Sequence, residues 1–236
     1  MGGEIVFDKP EYARIDKVRE DWLATVLALL PFRAELVTAL DLGCGAGYFS
    51  KVLHRAGFSV TGLDLRMNNI DLCRRRYPEC TFGTIDLDDT SQLIPEKIGR
   101  FDMVLMFGLL YHLQSPLQVI SRLAPCIGRV AIVETRVAAG DALACYLHRE
   151  FAGDDQNTAS IVAVPTFSAL VTMFASFGLP YAYLPDFQPC HEQWDPEQFQ
   201  NGLRKQFVVC RRSIAAPGLL RVEAKEPTVK WQPIVG

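Results

Sequence analysis

The sequence lacks an apolar run long enough to cross a bilayer, which needs about 20 residues. Its most apolar stretches, Leu23–Leu36 and Met103–Leu110, are too short or are interrupted by charge and proline. The N-terminal residues carry acids, and no apolar core of the kind found in a secretory signal follows them. These absences predict a cytoplasmic protein without a membrane-spanning segment.

Paired cysteines and an excess of one charge are also missing. The seven cysteines are scattered, and no two of them form a C-x-x-C pair, which predicts reduced, mostly buried thiols rather than disulfides or a zinc site. There is no acidic triad with metal-ligand spacing, so no metal is expected. The net charge of −3 argues against a generally basic nucleic-acid binder.

What the sequence does contain is a regular alternation of two patterns. An amphipathic helix is predicted over Ile15–Leu30, where Pro31 ends it. Short apolar runs, typical of buried strands, then alternate with helical stretches, and this indicates a parallel sheet covered on both faces. The predicted strands are Thr38–Leu42, Ser59–Leu63, Thr81–Ile85, Asp102–Phe107 and Arg129–Glu134, and the predicted helices between them are Tyr48–Ala56, Asn68–Arg76 and Pro116–Leu123.

The alternation breaks after Glu134, and this suggests a domain organisation. Residues 1–35 are predicted to form a helical extension, either a lid over the site or a helix packed on the sheet. The main domain covers 36–213 and contains an insert at 136–164, and it ends with a helix over Pro165–Phe177 and a strand over Lys205–Arg211. Residues 214–236 are predicted to be a tail that is poorly ordered unless it docks.

The most informative segment is a glycine-rich turn that joins the first predicted strand to a helix. Gly43, Gly45 and Gly47 permit backbone angles that other residues resist, and they let a ligand approach the main chain. The next predicted strand ends in Asp64, about 20 residues after the turn, where such folds place a carboxylate on ribose hydroxyls. The alternatives are a tight turn without a ligand and a helix-capping role for Asp64. Together, the turn and the acid favour an adenosine-containing ligand.

The glycine spacing separates two kinds of adenosine ligand. A dinucleotide site needs a third glycine three residues after the second, and that position is Tyr48. A nicotinamide-dependent reductase, in which Arg66 would meet a 2′-phosphate, is therefore the weaker hypothesis, and the expected Tyr-x-x-x-Lys pair is also missing.

The run from Asp41 to Gly47 instead resembles motif I of class I S-adenosylmethionine-dependent methyltransferases. The resemblance implies a Rossmann-like three-layer α/β sandwich, with a mostly parallel seven-stranded sheet and an antiparallel last strand. It also implies S-adenosylmethionine as cofactor, with S-adenosylhomocysteine as product. The cofactor residues that it implies are Asp41 for the methionine amino group, Gly43, Cys44, Gly45 and Gly47 beneath the cofactor, Asp64 with Leu65 at the ribose, Asp86 with Leu87 at the adenine, and Phe107 with Gly108 after the fourth strand.

The segment Gly108–Leu113, followed by Ser115-Pro116-Leu117, is similar to a narrower group within this superfamily. That group includes the tRNA wobble-uridine carboxymethyltransferase, which uses a carboxylated form of the cofactor. Tyr111 matches a tyrosine near the cofactor in that group. The late-strand position at which the group carries an arginine is assigned here to Lys205, so we expect a relative that acts on another acceptor.

Three residues at the strand ends are candidates for the chemistry. His112 is the first candidate for a general base, and the alternative is a packing or capping histidine. Tyr111 is expected to pack on the cofactor or to form a hydrogen bond to its carboxylate. The alternative is that it is a half-buried aromatic residue without a functional role. Glu134 is a candidate for binding the acceptor or for acting as a general base. The alternative is that it is a solvated residue at the end of a strand.

The favoured function is methyl transfer to an oxygen or nitrogen nucleophile of a small molecule. A tRNA-modifying enzyme is the alternative, and it would require Arg74, Arg75, Lys205 and Arg211 to gather around the mouth of the cofactor site. A non-catalytic cofactor-binding protein is a further alternative, because this reaction needs few obligatory side chains.

Overall fold

The computed structural model describes residues 10–150, 161–187, 189, 191–194 and 203–226. These residues form an eight-stranded sheet with helices on both faces, together with a separate two-stranded sheet. The strands are β1 Thr38–Leu42, β2 Ser59–Asp64, β3 Thr81–Thr84, β4 Phe101–Phe107, β5 Ile127–Val137, β6 Cys145–Arg149, β7 Ile161–Pro165, β8 Tyr181–Pro185, β9 Leu203–Cys210 and β10 Leu219–Val222. The α-helices are α1 Pro10–Leu29, α2 Tyr48–Arg55, α3 Met67–Arg76, α4 Pro95–Ile98, α5 Pro116–Leu123 and α6 Phe167–Ser176.

The order of strands across the large sheet is β10-β8-β9-β5-β4-β1-β2-β3. The five strands from β3 to β5 in this order are mutually parallel, whereas β9 is antiparallel to both β5 and β8. The predicted Rossmann-like, mostly parallel sandwich is therefore confirmed. Because β1 lies between β2 and β4, the order reverses there, and this is the point at which open α/β sheets bind their ligands.

The number of strands differs from the predicted seven, because β10 adds an eighth at one edge of the sheet. This strand lies within the predicted tail and pairs antiparallel with β8. The side chain of Leu219 is buried in the apolar cluster that includes Trp22 and Leu23 of α1. Burial of this apolar side chain stabilises the docked position of the segment. Residues 227–236 of the predicted tail lie outside the described residues.

Helix α1 packs its apolar side on one face of the sheet. Trp22, Leu23 and Val26 are buried there against side chains of the central strands, such as Leu105 and Ile132. The helix starts at Pro10, earlier than the predicted Ile15, and proline is well tolerated in a first helical turn. Residues 1–9 of the predicted extension lie outside the described residues.

The predicted insert after Glu134 contains regular structure. Strand β5 continues to Val137 and pairs with β9 as far as Leu203. Strands β6 and β7 then form an antiparallel pair, and the amide of Ala163 in β7 donates to the carbonyl of Leu113 at 2.9 Å. This bond ties the pair to the segment that follows β4. Residues 151–160 of the insert lie outside the described residues.

Within the described ranges, the structure contains no helix with the length and apolar character needed to span a membrane.

Candidate cofactor and acceptor site

A cavity of about 950 Å³ lies at the carboxyl ends of the parallel strands. Its walls come from the loops after β1 to β4, from α1, and from the β6–β7 pair. Pockets for small ligands usually measure roughly 300–1,000 Å³. The cavity is therefore large enough for an adenosine-containing ligand and a second small molecule beside it.

The glycine loop forms one wall of this cavity and uses backbone angles that favour glycine. The φ angles of Gly43, Gly45 and Gly47 are 74°, 52° and 84°. A Cβ atom on Gly47 would lie 2.9 Å from the Cys73 thiol and 2.9 Å from the ring of Tyr77. Gly47 is thus required for the packing of the loop on α3, while Gly43 and Gly45 line the cavity.

Asp64 connects the glycine loop to the start of α3. One of its carboxylate oxygens accepts a hydrogen bond from the Gly45 amide at 3.0 Å, and the other accepts from the Arg66 amide at 2.9 Å and from the Asn69 side chain at 3.0 Å. Asp64 also lines the cavity. Asp64 can therefore stabilise the loop and also lie beside a bound ligand. Its contact with the ribose stays a prediction.

Asp41 lies behind the loop and is not part of the described cavity wall. Its side chain is buried and accepts a hydrogen bond from the Ser50 hydroxyl at 2.6 Å. Burial raises the pKa of Asp41 to about 7, although the Ser50 hydrogen bond lowers it. A direct contact with a methionine amino group thus stays a prediction, and Ser50 is a partner that the sequence did not reveal.

The remaining predicted cofactor residues are brought together around the same cavity, which is lined by Cys44, Leu65, Asp86, Leu87, Phe107 and Gly108. Asp86 accepts a hydrogen bond from the amide of Asp88 at 3.0 Å. Asp88, which was not predicted, also lines the cavity and accepts from the Gln114 amide at 3.0 Å. Burial raises the pKa of Asp88.

Glu134 is held between two arginines from distant parts of the chain. Arg19 of α1 donates to one carboxylate oxygen at 2.9 Å, and Arg204 of β9 donates to the other at 2.6 Å. Burial opposes ionisation, but the two guanidinium groups outweigh it and lower the pKa of Glu134. Its side chain is fully buried, so the alternative of a solvated strand terminus is wrong.

The structure places Arg204, not Lys205, on the cavity side of β9. Arg204 lines the cavity and donates to the Tyr111 hydroxyl at 3.3 Å and to the Gln193 side chain at 2.6 Å. The ammonium of Lys205 instead lies 5.9 Å from the centre of the Phe167 ring. Neighbouring residues of a strand face opposite sides of the sheet, so Arg204, and not Lys205, is the basic residue that β9 contributes to the cavity.

Tyr111 is buried, and two guanidinium groups lie near its ring. The Cζ atoms of Arg136 and Arg204 lie 5.2 Å and 5.4 Å from the ring centre. Burial raises the pKa of the phenol, but the nearby cations outweigh this effect, and the net result is a pKa of about 8. Tyr111 is therefore more than the half-buried aromatic of the alternative interpretation.

His112 forms a close pair with Glu150, a residue that was not predicted. The distance between His112 Nδ1 and Glu150 Oε1 is 2.7 Å, and both residues line the cavity. Burial lowers the pKa of His112, but Tyr111 and the hydrogen bond and charge of Glu150 outweigh it and raise the pKa. The imidazole and the phenol are neighbours, with ring centres 4.0 Å apart.

Sequence reasoning missed Asp16, Arg19, Arg136 and Arg204, all of which line the cavity. A signal for two of them was present in the sequence. Asp16 and Arg19 lie on the same side of α1 as the buried residues Ile15 and Trp22, where charge is unexpected. Charged residues on the buried side of an amphipathic helix indicate a functional surface.

The four basic residues that an RNA site would require are not gathered at the cavity. None of Arg74, Arg75, Lys205 and Arg211 belongs to its described wall. Arg211 donates to the carbonyl of Ile127 at 2.6 Å. Ile127 is the first residue of β5, so Arg211 lies at the amino end of this strand, whereas the cavity lies at the carboxyl ends of the parallel strands. Among the described residues, no cluster of three or more histidine, cysteine or acidic side chains is arranged to hold a metal ion.

The parallel sheet, the glycine loop and the cavity define the Rossmann-like nucleotide-binding class. Comparisons with known proteins identify the family. A family model described as a methyltransferase domain matches residues 13–180, which is most of the chain. The chain belongs to this family, and membership confirms the predicted class of S-adenosylmethionine-dependent methyltransferases.

Individual relatives are more distant. A tRNA U34 carboxymethyltransferase of Pseudomonas aeruginosa is 37% identical over 111 residues, which cover 44% of this chain and 33% of that protein. A ubiquinone biosynthesis O-methyltransferase of Xanthomonas campestris is 32% identical over 113 residues, which cover 48% of this chain and 45% of that protein. The matched region thus spans less than half of either relative.

Among solved structures, the N-terminal domain of EvdMO1 with bound SAH has a similar fold. The TM-score is 0.64 at 20% sequence identity, over 82% of this chain and 81% of that one.

Proposed function

We propose that this protein transfers the methyl group of S-adenosylmethionine to an oxygen or nitrogen nucleophile of a small molecule. The observation that carries the proposal is one continuous cavity. It is lined both by the glycine loop and Asp64 and by the polar side chains of Tyr111, His112 and Arg204. A donor held on the loop would thus lie beside side chains that can orient an acceptor.

The shape of the wall at Gly108 fits such a donor. A Cβ atom at this position would lie 3.5 Å from Arg19 Nη2 and 3.9 Å from the Tyr111 hydroxyl. Gly108 therefore presents bare backbone to the cavity at the end of β4, and a ligand can approach the main chain there. The cofactor would supply the methyl group and its own leaving group. It would be held by Gly43, Cys44, Gly45, Asp64, Leu65, Asp86, Leu87, Phe107 and Gly108.

The work left to the protein is mainly positioning. Holding two reactants in attack geometry can contribute several kcal/mol to catalysis. Glu134 fixes Arg19 and Arg204, and Arg204 in turn fixes the hydroxyl of Tyr111. We assign to Glu134 this positioning role, because two arginines already occupy its carboxylate.

A small acceptor is favoured by the part of the cavity wall that β6 forms. Tyr146, Leu147 and His148 of β6 line the cavity there, and this strand is tied through β7 to the segment after β4. The relative in ubiquinone biosynthesis is named as an O-methyltransferase, which agrees with an oxygen nucleophile. An RNA substrate lacks support from the dispersed basic residues.

Calorimetric titration with S-adenosylmethionine and S-adenosylhomocysteine, with NADPH as control, tests the proposal. We expect both sulfur ligands to bind in the micromolar range and NADPH not to bind. Asp64→Asn should weaken binding of both at least tenfold. Asp71→Asn is the matched control, because Asp71 is an exposed acid on α3 that pairs with Arg74. Binding of NADPH without either sulfur ligand would refute the proposal.

A second candidate function is carboxymethyl transfer from a carboxylated donor. The position of Arg204 beside Tyr111, with Arg19 and Arg136 nearby, favours it, because guanidinium groups bind carboxylates well. If it holds, the carboxylated donor binds more tightly than S-adenosylmethionine, and Arg204→Gln removes this preference. Equal affinity of the wild type for both donors would rule it out.

A further inference from the structure

We propose that Asp16 of α1 accepts a hydrogen bond from the amino group of the methionine part of S-adenosylmethionine. This inference rests on the proposed methyl transfer, and it assigns to Asp16 the contact that the family resemblance implies for Asp41. Asp41 lies behind the glycine loop, outside the described cavity wall, and already accepts a hydrogen bond from Ser50. A carboxylate on the cavity side is therefore needed for this contact.

The order of the strands indicates where the methionine part of the cofactor would lie. The predicted ribose and adenine residues, Asp64 and Asp86, lie at or just after the ends of β2 and β3, on one side of β1. Strands β4 and β5 lie on the other side of β1. A cofactor that has its adenosine part beside β2 and β3 and crosses the glycine loop thus places its methionine part at the ends of β1 and β4.

Helix α1 lies across this part of the sheet edge. Glu20 accepts a hydrogen bond from the hydroxyl of Tyr48, which is the first residue of α2 after the glycine loop. Arg19 Nη2 would lie 3.5 Å from a Cβ atom on Gly108, at the end of β4. Asp16 precedes both helix residues by about one turn, and it lines the cavity. Its carboxylate therefore lies near the expected position of the amino group.

The carboxylate of Asp16 has one oxygen atom that can accept from a ligand. Oδ1 accepts a hydrogen bond from Arg19 Nη1 at 3.1 Å, whereas no residue in the described part of the chain donates to Oδ2. Asp16 is only 7% exposed, but it lines the cavity, where a ligand can supply the donor. Asp16 and Arg19 together also present charges of both signs, which suits the ammonium and carboxylate groups of an amino acid.

The charges around Asp16 favour the binding of a cation. Burial raises the pKa of Asp16, and the charge and hydrogen bond of Arg19 only partly offset this effect. Arg19 is shared with Glu134, to which it donates at 2.9 Å. An ammonium group beside Oδ2 would supply a second cation and a charge-assisted hydrogen bond. The bound cofactor would thus stabilise the ionised form of Asp16.

Calorimetric titration with S-adenosylhomocysteine and with its deaminated analogue tests the inference. The analogue keeps the adenosine, the sulfur and the carboxylate, and it lacks the amino group. We expect Asp16→Asn to weaken binding of S-adenosylhomocysteine about tenfold or more, and to leave binding of the analogue within about twofold of the wild type. Asp21→Asn is the matched control, because Asp21 is an exposed acid on α1 that pairs with Lys17. It should change neither affinity.

The outcomes separate this inference from the proposed function. Retained binding of the analogue shows that Asp16→Asn is folded and that the adenosine part of the site is intact. Equal losses of both ligands in Asp16→Asn, or no loss of either, would overturn the inference. A selective loss of S-adenosylhomocysteine in Asp41→Asn and not in Asp16→Asn would also overturn it and return the contact to Asp41. Binding of S-adenosylhomocysteine by the wild type leaves the proposed function in place in each case, whereas a wild type that binds neither ligand contradicts both.

Discussion

The carboxylate of Glu134 lies 2.6 Å from a guanidinium nitrogen of Arg204, although the two residues are 70 positions apart in the sequence. Their strands, β5 and β9, are antiparallel neighbours. Arg19 approaches the same carboxylate from α1. The buried carboxylate of Glu134 thus links β5, β9 and α1. It also fixes the two arginine side chains, which line the cavity.

The first prediction concerns this link. Glu134→Ala should lower the free energy of unfolding by about 3–5 kcal/mol, because it leaves the buried Arg204 without its counter-charge and Arg19 with Asp16 alone. Urea unfolding measures the change. Glu35→Ala is the control, since Glu35 pairs with Arg129 at the surface, and its loss should cost about 1 kcal/mol or less. Equal effects of the two substitutions would show that the buried link adds little.

The second prediction concerns pH and Asp41. Because the pKa of Asp41 is raised to about 7 in the folded protein, the folded state holds a proton that the unfolded chain has lost. This residue therefore contributes stability that increases as the pH falls from about 7 towards its ordinary value of 3.8. Asp41→Asn should accordingly stabilise the protein at pH 8 and lose this advantage in acid, as measured by urea unfolding at several pH values.

Asp102 serves as a control, because its pKa is lowered in the folded protein whereas that of Asp41 is raised. Burial alone would raise its pKa, but hydrogen bonds from the amides of Thr38 and Val37 and the hydroxyl of Thr38 lower it. Its contribution to stability is present above the ordinary pKa and is lost as the pH falls through the lowered one. Asp102→Asn should therefore destabilise the protein at neutral pH. Destabilisation by Asp41→Asn at pH 8 would contradict the burial argument.

The third prediction separates backbone strain from steric fit in the glycine loop. Gly47→Ala places a Cβ atom 2.9 Å from Cys73 and Tyr77 at a φ of 84°, and it should cost roughly 2–5 kcal/mol of stability. Gly57→Ala has a similar φ of 92° with no atom within 4 Å of the new Cβ, and it should cost only about 1–2 kcal/mol. Thermal unfolding compares the two variants, and equal losses would leave no role for the contact with α3.

The fourth prediction concerns His112 and Glu150. Glu150→Gln removes the negative charge near Nδ1, so the raised pKa of His112 should fall. Nuclear magnetic resonance of the imidazole protons follows this titration directly. Glu35→Gln is the control variant, because Glu35 pairs with Arg129 at the surface and its change should leave the His112 titration as it is in the wild type. An unaltered His112 titration in the variant would mean that Glu150 does not act on it.

Much of the fold could be predicted from local patterns. The apolar runs matched β1 to β5 closely, and the predicted Pro116–Leu123 is helix α5. Strand β10 was missed because its four residues follow a proline-containing segment, and its pairing with β8 depends on a contact with α1. A short edge strand has little periodicity of its own.

The candidate site divides in the same way. Gly43, Asp64, Asp86 and their neighbours are close in sequence to strand ends, so a motif could identify them. The sequence did not show that Arg204, and not Lys205, faces the cavity, because a step of one residue along a strand moves a side chain to the other face.

The sequence by itself determined the class of this protein, because glycine positions, strand ends and their spacing are local features that one segment can carry. Only the tertiary structure decided the electrostatics of the cavity. Arg19, Tyr111, Glu134 and Arg204 come from α1, a turn after β4, β5 and β9. Their contacts depend on which strands are neighbours in the sheet and on how α1 packs across it, and both follow from the packing of the whole core.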